Sequence, residues 1–339
     1  MAADILSGNG CNVTIYERKS TFGRKFLMAG RGGLNITHSE NSLDFIKKYG
    51  VNANIFKTIL DDFSPKDVRD WCEKLGEKTF IGSSGRVFPR SFKASPLLRA
   101  WLARLEKQKV IFKLNYDWQG WNQNNLVFKN NNEDIFVQAD VTLLSLGGAS
   151  WPKLGSDGSW VKIFKKQGLE TSPLLPSNCG FVVEWSDIFS KRFEGKSLKS
   201  VTLSFNDRKL KGEFVITKNG VEGSSIYALS SFMREDINIK GYTELMLDLK
   251  PDLDFEEIQK RLQKPKSKLT MSNYLRKTLN LSDVAIGLLM ELLGSKKLNN
   301  FTTKEITSSI KFYKLILKKT FAIDRAISTA GGVTFNSID

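Results

Sequence analysis

Glu17 and the segment Gly23–His38 (G-R-K-F-L-M-A-G-R-G-G-L-N-I-T-H) hold the densest set of residues suited to a polar ligand. Gly30, Gly32 and Gly33 let backbone approach a ligand closely and take positive φ. Arg24, Lys25 and Arg31 are cations that can neutralise a pyrophosphate or pair with an acidic group. Asn35 brings donors and acceptors to the edge of a heterocycle. His38 is the only histidine. It could shuttle a proton near neutral pH, although a hydrogen-bonded structural role fits it better. A surface loop with ordinary charges is the alternative for the whole segment.

The elements around this loop give it meaning. Met1–Leu6 reads as helix, stopped at Gly8 and Gly10, and Asn12–Tyr16 reads as a strand ending at Glu17. Helix, tight turn, strand and acid make the second half of a βαβ dinucleotide unit, in which the acid follows a glycine fingerprint by about 20 residues. That fingerprint would fall before Met1, so a first strand and its G-x-G-x-x-G turn are expected to be missing. An ordinary αβ start with Glu17 as a surface charge stays open. Helices are expected over 43–60, over 64–75 (Ser64-Pro65 start) and from Ser95-Pro96 to about Lys107. Strands are expected at Val110–Leu114, Tyr116–Trp121, Leu126–Lys129 and Ile135–Gln138. Val141–Leu146 has the continuous apolar character of a buried parallel strand and runs into Gly147-Gly148. After Pro173 the pattern predicts short strands and an all-β part, then helices from Pro251 to about Lys318, then a return strand at Ala322–Thr329.

Composition narrows the function classes. The chain has 339 residues, 41% hydrophobic and 26% charged, with 26 Gly and 8 Pro. That excludes disordered and collagen-like scaffolds. Three cysteines without C-x-x-C spacing argue against a disulfide framework or a zinc site, and no metal is expected. Cys179 reads as a small buried filler and Asp157 as the cap of a helix at 158–167; Trp151 and Trp160 read as core residues. No apolar run reaches the roughly 18–20 residues of a membrane span. No secretory signal pattern is present, so a cytoplasmic protein without membrane association is expected. The net charge of +15 suits nucleic acid, an anionic membrane or an anionic small molecule. Most lysines are scattered, and the densest run is Lys260-Arg261 with Lys264, Lys266 and Lys268. The scatter favours a solvated surface over a nucleic-acid footprint.

Glu17 and the Gly23–His38 loop resemble the BaiN/YhiN-type NAD(P)/FAD-dependent oxidoreductases, one branch of which is named the aminoacetone oxidase family. The resemblance continues in I-G-S-S-G-R-V-F-P-R from Ile81, K-A-S-P-L-L-R-A-W-L from Lys93, and L-G-G-A-S-W-P-K-L-G-S-D-G from Leu146. It extends through P-S-N-C-G-F from Pro176, N-G-V-E-G-S-S-I-Y-A-L-S from Asn219 and S-T-A-G-G-V from Ser328. The family's first strand and its segment after A-G-G-V are absent, so a chain truncated at both ends is expected.

The resemblance implies an α/β fold: a three-layer ββα FAD/NAD(P)-binding Rossmann-like domain with an inserted β-barrel plus helical domain. The FAD domain would comprise residues 1–170 and 321–339. The insertion would be 171–320, with its β part about 174–250 and its helical part about 251–320. Glu17 would accept the adenosine ribose hydroxyls. Arg24 and Lys25 would lie beside the pyrophosphate and flavin, and Gly30, Arg31, Gly32, Gly33 and Asn35 under the isoalloxazine. Val110 would open the strand at the adenine edge. Gly147, Gly148, Gly331 and Gly332 would bring backbone to the cofactor. The implied activity is hydride transfer through FAD on a small organic substrate, of the amine or ketone oxidase or enone reductase type, with NAD(P)H as electron donor. A basic nucleic-acid-binding flavoprotein-like module and an inactive fragment remain as alternatives. Substrate identity and oligomeric state are not legible.

Overall fold

The computed structural model describes residues 1–28, 33–266, 268–293 and 300–337. It divides into two compact units, Met1–Ser145 with Lys153–Gly155, and Leu146–Pro152 with Ser156–Asp339.

In the first unit the order is α1 (Ala2–Gly8), β1 (Thr14–Glu17), β2 (Thr37–His38), α2 (Ser42–Lys47), α3 (Ala53–Asp62), α4 (Pro65–Lys74), β3 (Thr79–Ile81), β4 (Arg86–Pro89), α5 (Ala94–Lys107), β5 (Ile111–Leu114), β6 (Asp117–Asn122), β7 (Asn125–Asn130) and β8 (Glu133–Val137). β1 and β5 pair in parallel, Thr14 opposite Ile111 and Glu17 opposite Leu114. The helices that precede them, α1 and α5, pack on each other. The Asp4 carboxylate, only 8% exposed, ties this layer together. It accepts from Trp71 Nε1 at 3.1 Å and Arg104 Nη1 at 3.3 Å, joining α1, α4 and α5. Ser64 caps α4 in a reciprocal capping box with Asp67, with Pro65 as the first helical residue, as its sequence predicts. α5 starts at Ala94, one residue before the Ser95-Pro96 start, with Lys93 as its N-cap. β6, β7 and β8 form a meander whose inward residues alternate (Trp118, Leu126, Phe128). Asn131 and Asn132, at φ 47° and 70°, make the two-residue turn between β7 and β8.

One expectation fails here. Val141–Leu146 is not a buried parallel strand: the segment joins no ladder among the described residues. Val141 and Leu143 are 87% and 64% exposed. An apolar, β-prone run becomes a strand only where a neighbouring strand takes its N–H and C=O groups.

The second unit contains α6 (Trp160–Lys166), β9 (Thr171–Ser177), β10 (Phe181–Val182), α7 (Asp187–Phe193), β11 (Ser197–Phe205), β12 (Arg208–Thr217), β13 (Gly220–Glu222), α8 (Ser224–Lys240), β14 (Thr243–Asp248), α9 (Phe255–Leu262), α10 (Met271–Leu279), α11 (Asp283–Leu293), α12 (Thr303–Lys311), β15 (Tyr313–Leu317), β16 (Lys319–Thr320) and β17 (Ser328–Val333). The described strands of its main sheet run β15-β14-β11-β12-β13-β10-β16, all antiparallel. β15 and β16 are consecutive in the chain, so one segment supplies both ends of the sheet and curls it toward the expected barrel. The inward row of Phe181, Leu198, Leu203, Phe214, Ile216, Leu245 and Leu247 is at most 1% exposed. Each such side chain contributes roughly 1.5–3 kcal/mol through burial. Ile258, Leu275, Leu288 and Ile310 from the helical cover complete the same core.

Three further expectations are corrected. The part taken as all-β contains α7 and the 17-residue α8. The last helix stops at Lys311, because Tyr313–Leu317 pairs with β14 in the sheet. The return strand is β17, six residues later than expected at its start, and it pairs antiparallel with β9. No helix among the described residues is long and apolar enough to cross a membrane.

Candidate functional site

The candidate residues of the first unit lie around the end of β1. Glu17 is the last residue of that parallel strand and is half-buried. Its Oε1 accepts the Lys19 backbone N–H at 2.8 Å, and Oε2 has no hydrogen-bond partner among the described residues. The turn after it is held from the link between β5 and β6: Asn115 N donates to Lys19 O at 3.2 Å and Tyr116 N to Glu17 O at 3.1 Å. Arg24 folds back on its own turn, donating from Nε to Thr21 Oγ1 (2.8 Å) and from Nη2 to Ser20 Oγ (2.9 Å). Lys25 is exposed overall, and partial desolvation of its ammonium lowers its pKa below the usual lysine value. Gly23, at φ +66°, brings this loop against α5, where a Cβ would stand 2.6 Å from Leu98 Cδ2.

The later part of the loop is bound into the β2-β4-β3 sheet. Gly30, Arg31 and Gly32 lie outside the described residues. Gly33 presses on Phe92, with a Cβ position 2.8 Å from Phe92 Cδ1. Both Asn35 contacts are backbone carbonyls: Nδ2 donates to Thr37 O (2.7 Å) and Val87 O (3.2 Å). Both His38 ring nitrogens are engaged. Nδ1 accepts from Glu40 N at 3.2 Å, which leaves Nε2 to donate to Ser84 O at 3.0 Å. Val110 does not open a strand. Its N–H closes the end of α5 on Leu105 O at 3.0 Å, and β5 begins at Ile111, whose N–H bonds Val13 O. The side chain of Val110 is buried.

In the second unit the structure brings the remaining glycines together around Thr329 and Trp160. Ala149 N donates to Thr329 Oγ1 at 3.0 Å, and a Cβ on Gly148 would stand 2.4 Å from that oxygen. Trp160 Nε1 donates to Gly147 O at 2.9 Å. Gly331 sits at the bulge between β17 and β9, where a Cβ would meet Pro173 O at 2.0 Å. Gly332 is more open, its nearest atom being Trp160 Cη2 at 3.8 Å. Two of these four glycines, Gly148 and Gly331, are therefore already required by close contact with another part of the chain. The informative neighbour is Ser156: it is 6% exposed, its Oγ lies 3.1 Å from a Cβ position on Gly147, and that Oγ has no hydrogen-bond partner. A buried hydroxyl without a partner costs about 1–3 kcal/mol, so this oxygen is suited to a polar ligand group. Asp157 is not a helix cap; its Oδ1 accepts Ser159 N at 3.0 Å, and α6 starts at Trp160.

Sequence reasoning missed a second polar group in this unit. Arg234 on α8 is 8% exposed and donates from Nη1 to Pro176 O at 2.8 Å. Burial pushes the Tyr227 hydroxyl up to about 12, so it keeps its proton at neutral pH. Burial pushes the Cys179 thiol up to about 11, with Arg234 opposing, so it is no thiolate nucleophile. The signal was present: Ile226, Leu229, Met233 and Ile237 have helical spacing, which orients Arg234.

Over 257 residues, 75% of the chain and 62% of the relative, this protein is 23% identical to a 3-dehydro-bile acid delta(4,6)-reductase of Clostridium scindens. Over 268 residues, 73% of the chain and 61% of the relative, it is 21% identical to a ribosomal RNA dihydrouridine synthase of Haemophilus influenzae. The chain thus spans about three fifths of the length of these relatives. A solved 3-ketosteroid-delta4-(5alpha)-dehydrogenase of Rhodococcus jostii is similar over 98% of this chain and 82% of its own, with 12% identity and a TM-score of 0.44. The family model of the HI0933-like protein Rossmann domain matches residues 1–339, and the chain belongs to that family, in line with the resemblance its motifs carry.

Proposed function

We propose that this protein is an FAD-dependent reductase that saturates a carbon–carbon double bond conjugated to a carbonyl, and that the double bond belongs to a pyrimidine base in RNA. The observation that carries the cofactor is Glu17, a half-buried carboxylate at the end of a parallel strand with one oxygen fixed by Lys19 N and the other uncommitted. That arrangement suits a ribose hydroxyl. In the same unit Arg24 and Lys25 supply positive charge suited to phosphates.

When bound and reduced by two electrons, which NAD(P)H is proposed to provide, the flavin would supply the hydride. The protein's residues hold and orient; Gly33, Gly148 and Gly331 fix the loops that carry the polar groups. The substrate class draws on two relatives. One is named for reducing the delta(4,6) system of a 3-dehydro bile acid, the other for making dihydrouridine in ribosomal RNA. An enone and a uracil ring share a double bond conjugated to a carbonyl. Reduction adds hydride at the carbon β to that carbonyl and a proton at the α carbon. The net charge of +15 is compatible with a polyanionic substrate. For organisation, we infer a cofactor domain of 1–170 with 321–339 around an insertion of 171–320. β9, at the start of that insertion, pairs with β17, which follows its end, so the entry and exit points of the chain lie side by side.

The test incubates the protein with FAD, NADPH and a uridine-containing RNA, then digests the RNA and weighs its nucleosides. A uridine heavier by two hydrogens is expected. A 3-keto-Δ4 steroid reduced while RNA stays unchanged would move the substrate to the small-molecule class.

A further inference from the structure

The helical part of the second unit carries a charged surface that the cofactor residues leave unused. Between Lys260 and Ser282 the chain holds seven cations and no carboxylate. The fold gathers them at the end of α9, the loop that follows, and α10. Tyr274 on α10 is 6% exposed and its hydroxyl lies 2.8 Å from both Leu262 O and Lys264 O, so the end of α9 is pinned to α10. Two cations are neutralised: Arg261 Nε donates to Glu257 Oε1 at 2.6 Å, and Arg276 pairs with Asp283. The ammonium groups of Lys260, Lys264, Lys268 and Lys277 are exposed and have no hydrogen bond or ion pair among the described residues. Lys260 and Lys264 line a groove of about 350 Å³ together with the Glu257–Arg261 ion pair and Thr278 of α10.

The surroundings decide the partner. Among the described residues from 255 to 289 no large hydrophobic side chain is exposed. Leu269 and Met271 pack on the core. A helix lying on a membrane needs an apolar face to insert, and this surface lacks one. Between the lysines stand Gln263, Thr270, Asn273 and Asn280, all exposed hydrogen-bonding side chains. Lysines interleaved with such groups suit phosphate and sugar oxygens, which position a nucleic acid without reading its bases.

We propose that the α9–α10 face is an RNA-docking surface that grips the sugar–phosphate backbone through Lys260, Lys264, Lys268 and Lys277. It rests on the RNA reading of the substrate given above and adds where the strand is held.

Four phosphate contacts give a salt slope near −3, which weakens binding about 50-fold between about 50 and 200 mM salt. The test follows binding of a labelled single-stranded oligouridylate by fluorescence anisotropy across that range. The variant K260A/K264A/K268A/K277A is compared with K74A/K78A/K107A/K129A, which removes the same charge from exposed lysines of the first unit. Far-ultraviolet circular dichroism and thermal midpoints establish that both are folded. The expected result is binding at least tenfold weaker, with a nearly flat salt slope, in the first variant alone. Equal losses in both variants, or loss of binding to phosphatidylserine vesicles with RNA binding intact, overturn the proposal. Uridine reduction in RNA at an unchanged KM in the first variant also overturns the docking surface while the reductase reading stands. Lysine-dependent RNA binding without any uridine reduction supports the surface and removes the reductase reading instead.

Discussion

Replacing Glu17 with Gln isolates the charge of the one carboxylate assigned to a cofactor. Gln keeps a side-chain carbonyl to accept the Lys19 N–H, now at 2.8 Å, so the turn after β1 is preserved. What is lost is a charged acceptor at the uncommitted oxygen. A hydrogen bond to a charged group contributes about 1.5–3 kcal/mol and a neutral one about 0.5–1.5. The difference, about 1–1.5 kcal/mol, corresponds to roughly tenfold in Kd. E17Q is therefore expected to bind FAD about tenfold more weakly, with its thermal midpoint within about 2 °C of the parent. E17A, which also frees the Lys19 N–H, is expected to lose more affinity and some stability. The assay is quenching of flavin fluorescence, with FMN as the control because it lacks the adenosine ribose. Equal losses for FAD and FMN, or FAD affinity unchanged in E17Q, would refute the assignment.

Other expectations follow from single sites. G331A adds positive-φ strain of about 1–2 kcal/mol and a clash with Pro173 O worth about 1–3 more. G332A adds strain alone, so G331A should be the less stable in urea unfolding; equal midpoints would contradict the close approach. Cys11 is exposed, whereas burial pushes the thiols of Cys72 and Cys179 up to about 11. Iodoacetamide at about pH 8 should therefore modify Cys11 in the native protein and the other two only after unfolding; native labelling of Cys179 would overturn its burial. The Ser64 hydroxyl and backbone hold the Asp67 carboxyl below its usual range. Its folded pKa is depressed, so its contribution is present above the unfolded value of about 3.9 and is lost as pH falls through the folded one. Stability measured down through that window should fall less steeply in S64A; parallel curves would reject the linkage.

What was legible in the sequence followed local chemistry. Ser64-Pro65 marks a helix start because capping and proline geometry act within one turn. The strand ending at Glu17 and the meander from Asp117 to Val137 were readable from alternation and Asn-rich turns. Failures came where distant partners decide. Val141–Leu146 has the composition of a buried strand, yet composition does not supply a ladder. Tyr313–Leu317 extends a helical pattern and becomes a strand because β14 lies beside it. α8 was hidden by its serines, although its buried residues keep a helical period. At the candidate site the sequence pointed to the glycines, but not to the contacts that require them. Gly148 needs its size for Thr329, and Gly331 for Pro173 O, both far away in sequence. Ser156 was invisible because an unpartnered hydroxyl is a property of the folded chain.

The central claim, an FAD-dependent reduction of a carbonyl-conjugated double bond, is tested most directly in a single turnover. The protein is loaded with FAD, reduced anaerobically with one equivalent of NADPH, and mixed with a uridine-containing RNA while visible flavin absorbance is followed. Absorbance is expected to return without oxygen, with one uridine gaining two hydrogens for each flavin reoxidised. Flavin that stays reduced in the presence of both the RNA and a 3-keto-Δ4 steroid would contradict it.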